Sequence, residues 1–500
     1  MSEPKHSRRP DAEGLADAHD ALGRAVAEIV ADYARSLEDA RLCSTATPAE
    51  LEKLFDEPLP VEGVGAAEVL EKFRRDIVPH AMNIPSPRYF GLFNPTPLPV
   101  AVWADALASV INQNGAIWRN SPSASAVEAR VLRWLCTLVG YGERAGGTLT
   151  SGGSEANLLA LKCARDRAVE GARDRGLVAS SARGNLVVYA SDQCHYSFVK
   201  GVDIIGIGRE NLRKVETDER FHVRIDLLRE AVRRDLSEGN TPICIAGAAG
   251  ATSSGVVDPL DELANVAEEF GLWFHVDAAY GGALAFSEEH KWRLRGIERA
   301  DTVTVDPHKW MFVPFACGAV LARDGAGVLR SAFDIMPEYM SEDRGGADVP
   351  FDFTRYGQLG TRRFNALKVW AAFKALGVRG YAEIVDRQIE LTQYLAARLR
   401  ETGEFETVGE VETAVVCARY APEGFEGRTA EESDRLQKAL QQRVERGGGA
   451  WFATTVLRGR RVLRFNVNSF LTERRHVDDL VELLRREGAR VLEEVKTSWS

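Results

Sequence analysis

From residue 185 onward, short apolar runs alternate with helical patterns, and this alternation limits the fold more than any other feature of the chain. Residues 186–190, 204–207, 243–246, 273–276, 302–305 and 319–322 read as short buried strands. Helical spacing at 226–236, 260–269 and 288–295 falls between several of them. Strands that are apolar on both faces and separated by helices build a mostly parallel sheet wrapped by helices, so the expected fold class is α/β. After Gly380 the pattern changes. An amphipathic helix runs to about Arg400 and is followed by an apolar run at 415–419, a helical pattern at 431–446, a second run at 462–466 and a closing helix at 477–495. That order reads as a smaller α+β domain, with Gly447-Gly448-Gly449 as the turn that ends its middle helix. Upstream, residues 15–42 have helical spacing, and Thr47-Pro48-Ala49-Glu50 opens another helix. Further helices are expected at 100–113 and 125–139. The expected division is a helical N-terminal segment at 1–90 with a disordered head at 1–13, a large α/β domain at 91–380 and a small α+β domain at 381–500.

One of the predicted strands ends in Asp306-Pro307-His308-Lys309-Trp310. A lysine between a strand end and a tryptophan is poorly placed for solvation. Desolvation favours the neutral amine, which can form a Schiff base with an aldehyde. Taken alone, the stretch is better explained by a lysine that extends its head to water. Two upstream stretches change that balance. The strand Trp273-Phe274-His275-Val276 ends in Asp277-Ala278-Ala279-Tyr280, which puts a carboxylate at the carboxyl end of a strand, where open α/β sheets bind ligands. Such a carboxylate can pair with the pyridinium nitrogen of pyridoxal phosphate, or it can simply cap a turn. His275, Asp277 and His308 also raise a metal site, although their spacing is not that of a known ligand set. The other stretch, Ser151-Gly152-Gly153-Ser154-Glu155, precedes a helical pattern. Glycines there let backbone N–H groups converge on an anion; a plain N-cap is the alternative.

In this order the pieces resemble the group II pyridoxal-phosphate-dependent amino acid decarboxylases, which include the aromatic-L-amino-acid, histidine and glutamate decarboxylases. The resemblance rests on Ser86-Pro87-Arg88-Tyr89-Phe90, Gly152-Gly153-Ser154-Glu155-Ala156, Ser191-Asp192-Gln193-Cys194-His195, His275-Val276-Asp277-Ala278-Ala279-Tyr280, Asp306-Pro307-His308-Lys309-Trp310 and Arg362-Arg363-Phe364. It implies a fold-type I pyridoxal-phosphate transferase fold, a homodimer with its active site at the interface, and decarboxylation of an L-amino acid to the amine. Residue by residue, it implies Lys309 as the lysine that carries the cofactor and Asp277 on the ring nitrogen. His195 would stack on the ring, with Ala279 beneath it and Thr252 nearby. Gly153, Ser154 and His308 would lie at phosphate or near-cofactor positions. Tyr339, in a Met336–Gly346 lid, is the expected proton donor. Asp306 departs from the asparagine of the aromatic decarboxylases and would repel a phosphate unless turned away or hydrogen-bonded. An aldehyde synthase or other α-carbon lyase, and a non-catalytic paralogue that keeps the fold, remain as alternatives. The presence of Lys309, Asp277, His195 and Tyr339 favours simple decarboxylation.

Composition narrows the partners. A net charge of −10 argues against non-specific nucleic-acid binding and gives no polybasic membrane surface. Seven scattered cysteines without a Cys-x-x-Cys pair fit reduced thiols in a cytoplasmic protein. Neither a signal peptide nor an apolar run long enough to span a membrane is seen. Substrate signals conflict. Asn114 and Arg119, around Trp118, suggest a polar or acidic side chain, whereas Phe90 and Phe93 suggest an aromatic one, which is the expectation carried forward.

Overall fold

The computed structural model describes residues 12–177, 184–336, 338, 352–425 and 429–499, with side chains to residue 494. Tyr339 and most of the expected lid lie outside the described residues, as does the expected N-terminal head up to residue 11; Ala12 already opens a helix. Among the described residues the strands form two sheets. The first strand, β1 (Tyr89–Phe90), belongs to the C-terminal sheet. The next seven build the central sheet: β2 (Gly146–Thr150), β3 (Leu186–Ser191), β4 (Leu212–Val215), β5 (Thr241–Ala248), β6 (Trp273–Asp277), β7 (Thr302–Val305) and β8 (Gly318–Ala322). Their order is β2-β8-β7-β6-β5-β3-β4, and all neighbours are parallel except those of β8. The last four are β9 (Phe405–Val408), β10 (Val415–Tyr420), β11 (Trp451–Leu457) and β12 (Arg460–Asn466), which pair antiparallel, with β1 added in parallel to β11.

The central sheet is covered on both faces, which explains its unbroken apolar strands. In β3, Val187 and Tyr189 enter one hydrophobic core, while Leu186, Val188 and Ala190 enter the other. Helix Gly153–Ala168 covers the second face; helices Ile225–Ser237 and Leu260–Phe270 cover the first. A third core lies under the C-terminal sheet and includes Phe90, Phe452 and Phe465.

Two sequence expectations fail for local reasons. Residues 204–207 are not a strand. Ile204 ends helix Ser197–Ile204, and Gly206 and Gly208 hold positive φ of 77° and 90° on either side of Ile207. The strand comes later, as the edge strand β4. Its charged Arg213 and Lys214 hide the apolar pattern, as charges on edge strands commonly do. Over 288–295 only a short turn, Lys291–Leu294, is helical. The N-terminal start signal behaves as expected: the Thr47 hydroxyl accepts the Glu50 amide at 3.2 Å, and the Glu50 carboxylate accepts the Thr47 amide at 2.7 Å. Ala366–Glu401 is one helical run interrupted at Gly377, whose φ of 63° suits glycine alone.

A buried ion pair ties the helices to the sheet. Arg362 and Glu128, each with a 5% exposed side chain, are paired. Glu128 also accepts the Leu149 amide at 3.1 Å, and Arg362 donates to the Thr148 hydroxyl at 2.9 Å and the Leu149 carbonyl at 3.1 Å. This pair fixes the end of β2, from which the glycine loop departs. Glu128→Ala leaves a buried guanidinium without its counter-charge and is expected to cost about 3–5 kcal/mol. Denaturant unfolding measures this; a loss below about 1 kcal/mol would show that the pair contributes little.

Candidate active site

The carboxyl ends of β2, β3, β5, β6 and β7 open on one edge of the central sheet, and each delivers a piece of the site. Gly152 and Gly153 follow β2, His195 follows β3 and Thr252 follows β5. Asp277 is the last residue of β6, with Ala279 just beyond it, and Lys309 lies in the turn after β7. Two adjoining cavities share His195, Asp277, Ala279 and Lys309 in their walls. The larger, of 360 Å³, adds Gly153, Ser154 and His308; the other adds Thr252 and Phe93. Every described residue expected at the site therefore converges on it. A larger surface depression of 680 Å³ near Arg144, Asp301 and Asp324 has no comparable set of free donors, because its arginines already make ion pairs.

A continuous hydrogen-bond network fixes the carboxylate and the histidine. Asn157, fully buried on the inner face of helix Gly153–Ala168, donates to Asp277 Oδ2 at 2.8 Å and to Ser197 Oγ at 2.9 Å. Its own Oδ1 accepts from Thr304 Oγ1 at 2.7 Å and faces His275 Nε2 at 3.1 Å. Asp277 Oδ1 accepts the Ala279 amide at 3.1 Å. Both carboxylate oxygens thus accept from N–H donors, which fixes the orientation of the group. His195 Nδ1 lies 2.8 Å from Ser197 Oγ and 3.3 Å from the Ser197 amide, so it is an acceptor and the ring proton sits on Nε2. Burial lowers the His195 pKa against the opposing pull of Asp277, keeping the imidazole neutral. His275 is entirely buried, with its pKa lowered to about 4 by desolvation. It belongs to this network, not to a metal set: its nitrogens are occupied by Asn157 and Thr302.

Lys309 Nζ is 3.0 Å from Asp306 Oδ2 and 5.7 Å from the centre of the Phe93 ring. Phe93 stacks on Tyr280 at 3.8 Å, and Tyr280 on Trp310 at 4.7 Å, making a rigid aromatic tier beside the lysine. Arg464, from β12, reaches across from the C-terminal sheet. It donates to the Thr252 carbonyl at 2.7 Å and the Gly91 carbonyl at 3.0 Å and lies 4.7 Å from the Phe93 ring. Its Nη2 is buried and makes no hydrogen bond among the described residues.

Sequence reading missed Asn157 and Arg464. Asn157 stands one turn after Gly153 and would have been found by asking which polar residue faces inward there. Arg464 sits between Leu463 and Phe465, which enter the C-terminal core, so strand alternation turns it to the other face.

Pyridoxal phosphate asks for an amine for its aldehyde, a carboxylate for its ring nitrogen, a flat partner for the ring and a cradle of donors for its phosphate. Lys309, Asp277, His195 and the helix start at Gly153 match those needs, and the carboxylate of Asp277, held in place by Asn157 and the Ala279 amide, is the particular that suits a pyridinium. The model of the pyridoxal-dependent decarboxylase conserved domain matches residues 48–421. The chain belongs to this family. An aromatic-L-amino-acid decarboxylase of Bacillus atrophaeus is 30% identical over 96% of each chain. A phenylacetaldehyde synthase of Arabidopsis thaliana is also 30% identical, over 94% of this chain and 96% of its own. Among solved structures, Oryza sativa TDC with PLP and tryptamine superposes with a TM-score of 0.90 at 30% identity, covering 97% of this chain and 99% of that one. The protein is accordingly a pyridoxal-phosphate-dependent carboxy-lyase of fold type I.

Proposed function

We propose that the chain decarboxylates an aromatic L-amino acid to its amine and carbon dioxide. The observation that carries this reading is the convergence of Lys309, Asp277 and His195 on one pocket whose adjoining wall is the Phe93–Tyr280–Trp310 tier. When bound, the cofactor supplies an electron sink for the substrate's α-carbon. Lys309 would hold it through its amine, Asp277 would serve its ring nitrogen, and neutral His195 would cover the ring. Gly153, Ser154 and His308 would receive the phosphate, and Thr252 and Ala279 would lie near the ring. The unpaired Nη2 of Arg464 is the partner for the substrate's carboxylate. Tyr339 returns a proton to the α-carbon.

The aromatic preference is supported by the apolar tier and by what Asn114 does. Its Oδ1 accepts the Arg362 amide at 2.8 Å, and its Nδ2 faces the Gly360 carbonyl at 3.5 Å, so it is committed to backbone and not to a polar substrate. The homodimer reading is supported by apolar side chains left uncovered on the N-terminal segment and the helix after it, including Val30, Phe73, Trp103, Leu107 and Val110. Seven free cysteines suit the cytoplasm, and no described helix is long and apolar enough to cross a membrane. A separate core under the C-terminal sheet supports a small C-terminal domain, but Phe90 belongs to that core and Tyr381, Val385 and Ile389 to the central one, so packing does not break at residues 90 and 380.

The aldehyde synthase reading is favoured by relatives of that name, among them the Arabidopsis and Petunia hybrida phenylacetaldehyde synthases. One experiment separates the two. Purified, cofactor-loaded protein is given aromatic, acidic and basic L-amino acids, and carbon dioxide, amine and aldehyde are measured. Amine and carbon dioxide in equal amounts from the aromatic set alone support the proposal; aldehyde as the main product, or turnover confined to acidic or basic substrates, overturns it. Tyr339→Phe is expected to cut amine formation by about a hundredfold or more while the cofactor stays bound, a hundredfold being the lower end of the usual range for one proton-transfer group. An unchanged amine yield would remove Tyr339 from its role.

A further inference from the structure

Asp306 places a carboxylate where an anion has to bind. It is 2% exposed and stands in the turn between β7 and Lys309. Its Oδ2 lies 3.0 Å from Lys309 Nζ and 3.7 Å from His308 Nε2. Its Oδ1 is buried and makes no hydrogen bond among the described residues. The group lies hard against the glycine loop: a methyl on Gly153 would come 2.9 Å from Oδ2, and one on Gly318 would come 2.6 Å from Oδ1. Gly153 opens a helix of 16 residues, so its amide and that of Ser154 have no acceptor within the helix and are free for an anion.

The surroundings do little to offset that carboxylate. Burial holds His308 below its ordinary pKa, so it is neutral, and its Nδ1 is taken by the Cys317 amide at 2.9 Å. Glu155 already accepts from the Ser151 amide at 2.7 Å and the Ser151 hydroxyl at 2.8 Å. Among the described residues lining this cavity, Lys309 is the single lysine or arginine, set against Glu155, Asp277 and Asp306. A phosphate arriving at the cradle therefore meets Asp306 while Lys309 is still paired to it. Once the lysine is attached to the cofactor, phosphate and carboxylate remain neighbours.

We infer that Asp306 makes this a loose phosphate site, from which the cofactor exchanges with the medium instead of being held permanently. The inference rests on the reading that the Gly152–Ser154 loop takes the phosphate and Lys309 the aldehyde. Close like charges at a partly solvated site oppose each other strongly enough to change binding by at least an order of magnitude. Asp306→Asn keeps the shape, removes the charge and adds an N–H that a phosphate oxygen can accept.

The test uses full-length protein freed of cofactor and titrated with pyridoxal phosphate or with pyridoxal, which lacks the phosphate, followed by visible absorbance. For Asp306→Asn the dissociation constant of pyridoxal phosphate is expected to fall by at least about tenfold more than that of pyridoxal. Asp306→Ser, neutral but smaller, should share the gain and stands in if the amide variant does not fold. Inorganic phosphate should also compete better against pyridoxal phosphate in the variants. Unchanged or weaker binding of pyridoxal phosphate, or an equal gain for pyridoxal, overturns the inference; the second result would place the effect on the lysine and not on the phosphate. The underlying reading fails separately, and takes the inference with it, if Lys309→Ala develops the same absorbance as the parent.

Discussion

Lys309→Ala is expected to abolish the visible absorbance of the attached cofactor and to lower carbon dioxide release by at least about a thousandfold, roughly 4 kcal/mol of barrier. The physical reason is local. Lys309 is the only lysine in the walls of either cavity, and its Nζ is held 3.0 Å from Asp306 at the mouth of β7, facing the carboxylate end of β6. No other amine among the described residues stands where an aldehyde on the ring could reach it. The alanine variant also strands a buried carboxylate, so its stability falls for a reason unrelated to catalysis. Lys309→Arg separates the two effects. Arginine keeps a positive charge beside Asp306 but stays protonated and cannot attach the cofactor. It should recover much of the stability and none of the absorbance. Absorbance retained in either variant would move the attachment to another residue.

How much of this was legible beforehand depended on whether a residue's role follows from its own strand. Lys309, Asp277 and the glycine pair stand at strand ends or just before a helix, so apolar patterning located them. The central strands were readable because both of their faces are buried. β4 was not, since an edge strand carries charge, and the apolar residues 204–207 copied its signature without its backbone. β2, β9 and β11 escaped notice: β2 begins Gly146-Gly147, which weakens any strand pattern, and β11 exposes Val456. Arg464 could not be assigned from its own neighbourhood at all. Its meaning comes from Phe93 and Thr252, residues remote in the chain that only the packing of the C-terminal sheet against the central one brings together. Asn157 illustrates the same limit on a smaller scale. Its helix was visible, but the four groups it joins come from four other segments.

That network makes Asp277 the second residue whose loss is expected to be severe, and it specifies how. Asn157 Nδ2 and the Ala279 amide both donate to the Asp277 carboxylate. In Asp277→Asn one end of the new amide is an NH₂ facing a donor. Asn157 cannot turn over to help, because its Oδ1 is already held by Thr304 and His275. The variant should therefore lose about 1–3 kcal/mol of stability through an unsatisfied buried group. Separately, it loses the carboxylate proposed to keep the ring nitrogen protonated, and carbon dioxide release should fall by at least about a hundredfold, roughly 3 kcal/mol of barrier. The pair Asp277→Asn with Asn157→Asp distinguishes these losses. Exchanging the two groups restores a donor facing an acceptor between positions 157 and 277 and leaves Thr304 and His275 an acceptor, while the Ser197 hydroxyl alone loses its donor. Most of the stability should return, as read by denaturant unfolding, while decarboxylation stays at the level of the single variant. Recovery of activity together with stability would mean that Asp277 serves only to hold its surroundings in place; absence of both would mean that the network tolerates no exchange of donor and acceptor. The expected split, folding restored and chemistry still lost, follows from a carboxylate whose position is fixed by two donors and whose proposed partner is the ring nitrogen of the cofactor.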